Sequence, residues 1–381
     1  MAQGETMKNL NDFIVNDDKL GCIIKYPYHC LPHNLNPGRL RYYSIDETTA
    51  ETMRNNTQWA KSGIGSPRFQ FVYLFLPTPC NQRCKGCFMG QDKNRHPTSL
   101  KGKYFSQREI DQITEFSKQH GARAIVYGGG GELFLWQGAF DFIESITSSG
   151  MGMVIFTNGT CLKDEDVARL NSLGVVIIIS LRDTVESYHN AIVGVSGFRK
   201  SIRIINIAIG LGMHKEGRLA VEMPATMQNE GRVICDLLPV LRTLGIAPWI
   251  EEYIQISTSE EEKVLGHSFE QARKFFKKLA EKDLELGIRW RPEFGQRMLD
   301  HPRCQRALYS FAIFPNRDVI NCPSGGIVYG NIFKDSLENI LRSEIFRRTL
   351  LKHDICPCSV FYTADDQQIP RVLPAYLEEL R

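Results

Sequence analysis

From about Phe71 the chain alternates short apolar runs with amphipathic stretches. FVYLFL (71–76) is apolar throughout, the pattern of a strand buried on both faces. Ser106-Gln107-Arg108-Glu109 has the sequence of a capping box, and Phe105 and Ile110 flank it as a hydrophobic staple. A helix is therefore expected from there to near Gly121. ARAIVY (122–127) reads as the next strand and GAFDFIESI as the helix after it. MVIFT (153–157) precedes Asn158-Gly159, a turn signal. VVIIIS (175–180) is rich in β-branched residues, as a central parallel strand is. Residues 197–212 read as helix, LAVEM (219–223) as strand, 232–244 as helix, WIEEYIQI (249–256) as strand and 268–287 as a charged amphipathic helix. Six strands alternating with helices predict an α/β fold, a parallel barrel or open sheet, with its site at the C-terminal ends of the strands.

The flanks differ. Residues 1–69 read as irregular, with Pro27, Pro32 and Pro37 close together, and are taken as an N-terminal extension packed on the core. After about Trp290 come short strand signals, FAIF (311–314) and DVIN (318–321), with a turn near Pro315-Asn316-Arg317-Asp318. A helix over 336–350 and then Cys356-Pro357-Cys358 follow. The expected division is an extension over 1–69, the α/β body over 70–290 and a small separate α+β module over 291–381.

At 381 residues the chain exceeds one average domain, in keeping with a barrel plus a module. A hydrophobic content of 43% with 23% charged residues is that of a soluble globular protein with a large core. A net charge of +3 is too weak to argue for nucleic acid or an anionic membrane. No apolar run reaches membrane-spanning length, and Met1 to Asp12 lacks the apolar core of a secretory signal, so a cytoplasmic location is the default expectation. The 11 cysteines are the anomaly. In a long chain with no export signal they argue for metal or redox chemistry over disulfides. Two groups look placed: Cys80/Cys84/Cys87, and Cys304/Cys322/Cys356/Cys358. Cys22, Cys30, Cys161 and Cys235 stand singly, and for each the plain reading is a buried structural thiol.

Cys80-Asn-Gln-Arg-Cys84-Lys-Gly-Cys87 directly follows the first predicted strand. Three thiolates on one loop can each take one iron of a [4Fe–4S] cube, leaving the fourth iron open to a small molecule. Zinc is the alternative; it normally takes four ligands in a structural site, and no local fourth is obvious, although His96 is near in sequence. The C-x3-C-x2-C loop at the end of a first strand resembles the radical S-adenosylmethionine superfamily. The resemblance implies a partial (β/α)6 TIM-type barrel, a [4Fe–4S] cluster and S-adenosylmethionine as cofactor. Gly86 departs from the family pattern, which usually has a hydrophobic or aromatic residue just before the third cysteine; here Phe88 follows it instead.

Tyr127 leads into Gly128-Gly129-Gly130-Gly131-Glu132. Glycines allow close backbone approach to a ligand and a carboxylate can accept from an ammonium group, but a glycine run is equally the sequence of a mobile loop. Its place after the second strand is similar to the superfamily's Gly-Gly-Glu-Pro element, which implies contacts from Gly130, Gly131 and Glu132 to the methionine amino group; Leu133 stands where the family has proline. By the same resemblance Ser180 and Arg182, at the end of the fourth strand, contact the cofactor's ribose or carboxylate, with a plain solvated strand end as the alternative. Thr157 and Asn158 end the third strand in a similar place. Glu222, Glu251, Glu252 and Tyr253 are candidates to line a substrate cavity. Strand alternation forbids Glu251 and Glu252 from both facing inward.

Cys304 and Cys322 flank the predicted hairpin and Cys356 and Cys358 follow the helix, a set that suits zinc or a second iron–sulfur cluster. The segment resembles the superfamily's auxiliary-cluster modules, named SPASM with two clusters and twitch with one; four cysteines fit a twitch module with one auxiliary [4Fe–4S] cluster. Cys-Pro-Cys stands where Cys-x-x-Cys is usual.

The resemblance implies an enzyme that reductively cleaves S-adenosylmethionine, with electrons from a donor such as flavodoxin or ferredoxin. The resulting 5′-deoxyadenosyl radical then takes a hydrogen atom from substrate. The expected substrate is a small polar molecule of sugar or aminocyclitol type undergoing oxidation, epimerisation or rearrangement; a peptide side chain is the alternative. Glu222, Glu251, Arg182 and Tyr253 are the candidate catalytic groups. A non-catalytic zinc-binding or redox-sensing protein is the competing class. An RNA-modifying enzyme is a third, against which the near-neutral charge stands.

Overall fold

The computed structural model describes residues 31–32, 42–43, 47–87, 104–253, 265–286, 306–321 and 327–351. Its centre is one nine-stranded sheet. Six strands run parallel in sequence order: β1 (Phe71–Phe75), β2 (Ala124–Gly129), β3 (Gly152–Thr157), β4 (Val176–Ser180), β5 (Leu219–Ala225) and β6 (Ala247–Glu252). Three more, β7 (Ser310–Ile313), β8 (Asp318–Ile320) and β9 (Val328–Asn331), extend the sheet beyond β1. β7 pairs parallel with β1, while β7–β8 and β8–β9 are antiparallel. A two-residue antiparallel pair, Leu31–Pro32 with Tyr42–Tyr43, forms a second sheet and lies against β3.

Helices follow the strands where they were expected at α2 (Gln107–Gln119), α3 (Ala139–Ser148), α6 (Phe198–Gly210) and α8 (Phe269–Glu285), and two more, α4 (Asp164–Ser172) and α5 (Glu186–Val193), follow β3 and β4. α7 runs over Glu230–Arg232, takes a π turn over Val233–Leu237 and continues over Leu238–Thr243. Mixed parallel strands and helices of this kind are the partial-barrel architecture read from the sequence.

Strand alternation divides the core in two. Val72, Leu74, Ile125, Ile155, Ile177, Ile179, Val221 and Ile250 pack under the helices, with α2, α3 and α6 supplying Ile113, Phe142 and Ile204. The opposite face carries Phe71, Tyr73, Phe75, Val126, Val154, Ile178, Ala220 and Trp249, and among the described helices only Glu47–Ser62 reaches it, through Met53. It is the concave face. Glu222 shares its parity with Ala220, and Glu251 shares its parity with Trp249, so both project to the concave side.

Local signals hold where they were read. Ser106 and Glu109 close a reciprocal capping box, and Phe105 and Ile110 are both buried. Gly121 follows α2 at φ +82°, a left-handed position that suits glycine. The Pro315–Asp318 turn joins β7 to β8, with Arg317 N–H donating to the Phe314 carbonyl at 2.8 Å. Arg317 is itself buried, bonded to Glu109 at 3.0 Å and stacked 4.1 Å over Phe105, so this turn is riveted to the start of α2. The helix expected over 336–350 is two pieces, α9 (Leu337–Ile340) and α10 (Glu344–Leu351).

One reading is corrected. Residues 1–69 are not irregular throughout: Glu47–Ser62 is a 16-residue helix, α1. Its sequence is mostly polar, so apolar periodicity does not announce it. It is fixed by contacts from afar: Trp59 packs on Phe346 of α10, and Asn56 Nδ2 donates to the Leu308 carbonyl at 2.8 Å.

Candidate active site

The cysteine loop leaves the C-terminal end of β1 and is tied down on every side. Behind it, the glycine run approaches so closely that side chains are impossible. A Cβ on Gly130, which has φ +108°, would lie 1.8 Å from the Leu76 carbonyl oxygen, and one on Gly131 would lie 2.0 Å from that of Thr78. The register between β1 and β2 shifts after Leu74, so that Phe75 pairs with Gly129; Gly128, left out of the pairing, makes room for the Phe75 ring. Glu132 N–H donates to the Pro79 carbonyl at 2.8 Å, one residue before Cys80. The glycine requirement is thus met by close packing of one loop against another.

Glu132 turns its carboxylate inward. It accepts from the Thr157 hydroxyl at 2.7 Å and the Asn158 N–H at 2.9 Å, and is buried. Burial pushes its pKa up, and the bonds from Thr157, Asn158 and Phe134 partly offset this. Asn158 Nδ2 reaches Asn81 Oδ1 at 3.0 Å, and Asn81 Nδ2 reaches Thr160 at 2.7 Å. Loops after β1, β2 and β3 therefore form one hydrogen-bonded unit through Asn81, Glu132, Thr157 and Asn158.

The fourth strand adds charge. Arg182 bonds Glu222 at 3.3 Å, and its cation, beside Cys84, opposes the rise in that thiol's pKa. Ser180 beside Glu222 favours its ionised form, and Glu251 acts on Glu222 as a nearby like charge. Burial pushes the Glu222 carboxyl up, against the opposing pull of Arg182. Asp183, one residue on, is buried and held bidentately by Arg232 at 2.7 and 2.5 Å. That pair anchors the turn and was not singled out in the sequence.

α5 supports the loop from outside. Its last carbonyls, Ile192 and Val193, accept from the Lys85 and Arg83 N–H groups, both at 2.9 Å. The cysteine loop thereby caps a helix end that would otherwise leave those acceptors open. Directly after β6, Tyr253 lies over Gly86: a Cβ there would meet the phenol oxygen at 2.0 Å. The place beside the third cysteine is therefore filled by an aromatic side chain from the end of a distant strand.

Cys80, Cys84 and Cys87 all carry free thiols. Burial pushes Cys80 up to about 12, with Cys84, Glu132 and Cys87 adding to the rise and a backbone bond at Gln82 opposing it. Burial also raises Cys84, opposed first by the Arg182 cation. Among the described residues, no three His, Cys, Asp or Glu side chains converge on a single ion. A cube does not require that, since each thiolate binds its own iron. Three neighbouring thiols on a braced loop, one of them facing a guanidinium, are a donor set that fits a [4Fe–4S] cluster.

Residues 77–225 match the model of the Radical SAM superfamily. Over that span the chain is similar to radical SAM domains. That span opens just before Cys80 and closes at the end of β5, and the family implies one [4Fe–4S] cluster and S-adenosylmethionine. Curated relatives are distant. The tungsten-containing aldehyde ferredoxin oxidoreductase cofactor-modifying protein of Pyrococcus furiosus is 25% identical over 183 residues, 46% of this chain and 49% of that protein. The AdoMet-dependent heme synthase of Nitratidesulfovibrio vulgaris is 23% identical over 188 residues, 49% of this chain and 48% of the relative. The chain thus spans about half the length of the curated relatives it matches.

Solved structures extend the fold likeness beyond residues 77–225. SuiB of Streptococcus suis, bound to its precursor peptide SuiA, superposes with a TM-score of 0.58 at 15% identity, covering 84% of this chain and 77% of that one. Native anSMEcpe with bound AdoMet superposes at 0.56 and 14% identity, covering 81% and 96%. Cys80, Cys84, Cys87, Gly130, Gly131, Glu132, Thr157, Asn158, Ser180 and Arg182 meet at one end of the sheet, as do Glu222, Glu251 and Tyr253. Cys304, Cys322, Cys356 and Cys358 lie outside the described residues, as do Cys22, Cys30, Phe88 and His96. No helix among the described residues is long and apolar enough to cross a membrane.

Proposed function

We propose that Cys80, Cys84 and Cys87 hold the [4Fe–4S] cluster of a radical enzyme acting on a small polar substrate. The observation that supports this most directly is the braced cysteine loop at the C-terminal end of β1, bonded to the loops after β2 and β3 and to α5. When bound, the cluster and S-adenosylmethionine supply one-electron reductive cleavage to methionine and a 5′-deoxyadenosyl radical that takes a hydrogen atom from a substrate C–H bond. Ser180, Arg182, Thr157 and Asn158 are assigned to the cofactor's polar groups, and the backbone of Gly130 and Gly131 to its ammonium group. Glu132 then acts mainly by holding the loops together. Glu222, Glu251, Arg182 and Tyr253 are placed to hold polar substrate groups, and a carboxylate with a raised pKa is suited to accept a proton if the product is a carbonyl.

Three further assignments belong to the same reading. The α/β body spans 70–290, with the extension over 1–69 before it and the C-terminal module over 291–381 after it. Cys304, Cys322, Cys356 and Cys358 hold one auxiliary cluster, and a flavodoxin or ferredoxin supplies the electrons. A peptide side chain as substrate is the second reading. The fold likeness to SuiB, whose structure holds a precursor peptide, favours it.

Anaerobic reconstitution tests the proposal. The full chain should turn brown, carry roughly eight irons if both cubes form, and release 5′-deoxyadenosine when reductant and S-adenosylmethionine are added. Replacing Cys80, Cys84 and Cys87 by Ala should leave only the auxiliary iron and abolish 5′-deoxyadenosine. A colourless chain with stoichiometric zinc, or no 5′-deoxyadenosine with any substrate, would sink it. Deuterium transfer from labelled sugars or peptides into 5′-deoxyadenosine separates the two substrate readings.

A further inference from the structure

Two polar atoms beside the cysteine loop are buried without a hydrogen-bond partner: Gln82 Nε2 and His189 Nε2. Gln82 is 5% exposed and His189 0%. They face the same small space. A Cβ added to Gly197 would lie 3.0 Å from Gln82 Nε2 and 3.7 Å from His189 Nε2. His189 Nδ1 accepts from the Arg182 N–H at 3.2 Å, which leaves Nε2 as the protonated nitrogen of a neutral ring. Burial, with Arg182 close by, holds the His189 pKa down to about 4, so the ring stays neutral near pH 7. Gln82 Oε1 accepts from the Cys84 thiol at 3.5 Å. Two buried N–H donors without partners therefore both border the space beside Gly197, an arrangement folded proteins avoid.

The conflict disappears when Cys84 ligates iron. A thiolate has no proton to give, so the bond from Cys84 to Gln82 Oε1 is lost and that oxygen would face an anionic sulfur. Rotating the Gln82 amide about its last torsion exchanges oxygen and nitrogen at no change in shape. In that orientation Nε2 faces the Cys84 sulfur as a donor, and Oε1 takes the place Nε2 held, on the side of Gly197 and His189 Nε2. Both orphaned groups gain partners in one move.

We propose that Gln82 is a positioning residue that donates a hydrogen bond to the Cys84 thiolate of the loaded cluster and is oriented by His189. The relay runs from the Arg182 backbone N–H to His189 Nδ1, from His189 Nε2–H to Gln82 Oε1, and from Gln82 Nε2–H to Cys84. It rests on the reading of Cys84 as a cluster ligand. An N–H bond to a cluster sulfur stabilises the added negative charge of the reduced state, so the relay raises the reduction potential. Arg182 also acts on that sulfur, but its charge is shared with Glu222. Gln82 donates without adding charge.

The test is an EPR-monitored redox titration of the reconstituted full-length chain, without substrate. Gln82→Leu should shift the midpoint potential of the Cys80/Cys84/Cys87 cluster to more negative values. His189→Leu should shift it the same way, because the amide is no longer held. His189→Gln keeps an acceptor for the Arg182 N–H and a donor for Gln82, and should restore the wild-type potential. An unmoved potential in Gln82→Leu at full iron content overturns the relay, and an unmoved potential in His189→Leu overturns the part assigned to His189. Wild-type chain carrying side-chain 15N-glutamine gives a second readout that needs no variant. Pulsed EPR on the reduced cluster should show a 15N coupling and an exchangeable deuteron, and absence of both overturns the proposal. A chain that takes up no cluster overturns the cluster reading, and the relay with it. A loaded cluster with unmoved potential overturns the relay alone.

Discussion

Replacing Glu132 separates two roles that a buried carboxylate can have. Glu132→Ala removes the acceptor of two buried donors, the Asn158 N–H at 2.9 Å and the Thr157 hydroxyl at 2.7 Å. Each unsatisfied buried group costs about 1–3 kcal/mol, so the loss should be roughly 2–6 kcal/mol. Glu132→Gln keeps a carbonyl oxygen for Asn158 and turns an amide NH2 towards Thr157, whose oxygen can accept. It also removes an anion that burial disfavours, since the Glu132 pKa is raised above the ordinary 4.5. Its stability should stay within about 1 kcal/mol of wild type. The pH dependence has a definite sign. With the folded pKa above the unfolded one, the stability linked to this group is full below 4.5 and is lost as pH rises through the raised value. Wild type should therefore fall relative to Glu132→Gln over that window. Equilibrium unfolding in urea, compared by midpoint at unchanged slope, measures both effects. If Glu132→Gln were as unstable as Glu132→Ala, the hydrogen-bond argument would be refuted. Because Asn158 also bonds Asn81 in the cysteine loop, Glu132→Ala should lower iron uptake as well.

Three other substitutions probe the same end of the molecule and its frame. Gly130→Ala places a Cβ against the Leu76 carbonyl at a positive φ; about 1–3 kcal/mol of strain and reduced iron content are expected, read by unfolding and iron assay. Gly86→Ala collides with Tyr253 and should lose cluster loading, whereas adding Tyr253→Ala should recover much of it; no recovery in the double variant would mean that Tyr253 is not what Gly86 accommodates. Asp283→Asn strips the partner from buried Arg242, which it holds at 2.7 and 2.9 Å, and should destabilise by about 3–5 kcal/mol in urea unfolding.

The parallel strands were legible because each is a short apolar run between amphipathic stretches, and the capping box at Ser106–Glu109 because it is a local pattern. The cysteine loop was legible because its spacing is its chemistry. What the sequence hides is non-local. β7 joins β1 across most of the chain, pairing Phe71 with Ser310, and no local pattern reports such a pairing. α1 is held by a buried asparagine and by α10, so its polar sequence reads as loop. Glu132 was found as a candidate, yet its carboxylate faces Thr157 and Asn158 and acts as a clasp. Gln82 and His189 carry no sequence signal, because a glutamine inside a loop and a histidine on a short helix gain meaning only from the space they share.

The supports of the cysteine loop divide into two kinds. Those that fix its position are neutral: Glu132 N–H to Pro79, Asn81 between Asn158 and Thr160, and Arg83 and Lys85 N–H groups to the end of α5. β1 behind it is paired on both edges, by β2 and β7, so the strand that carries the loop cannot slide. The support that acts on charge is separate: Arg182, which reaches Cys84 from the end of β4. This separation matters because the thiols must become thiolates on binding iron, and burial opposes that change at both Cys80 and Cys84. A loop placed by neutral bonds keeps its shape while the charge on its sulfurs changes. Variants of the neutral supports should therefore alter how much iron is bound, and Arg182→Met should alter the potential of the iron that is.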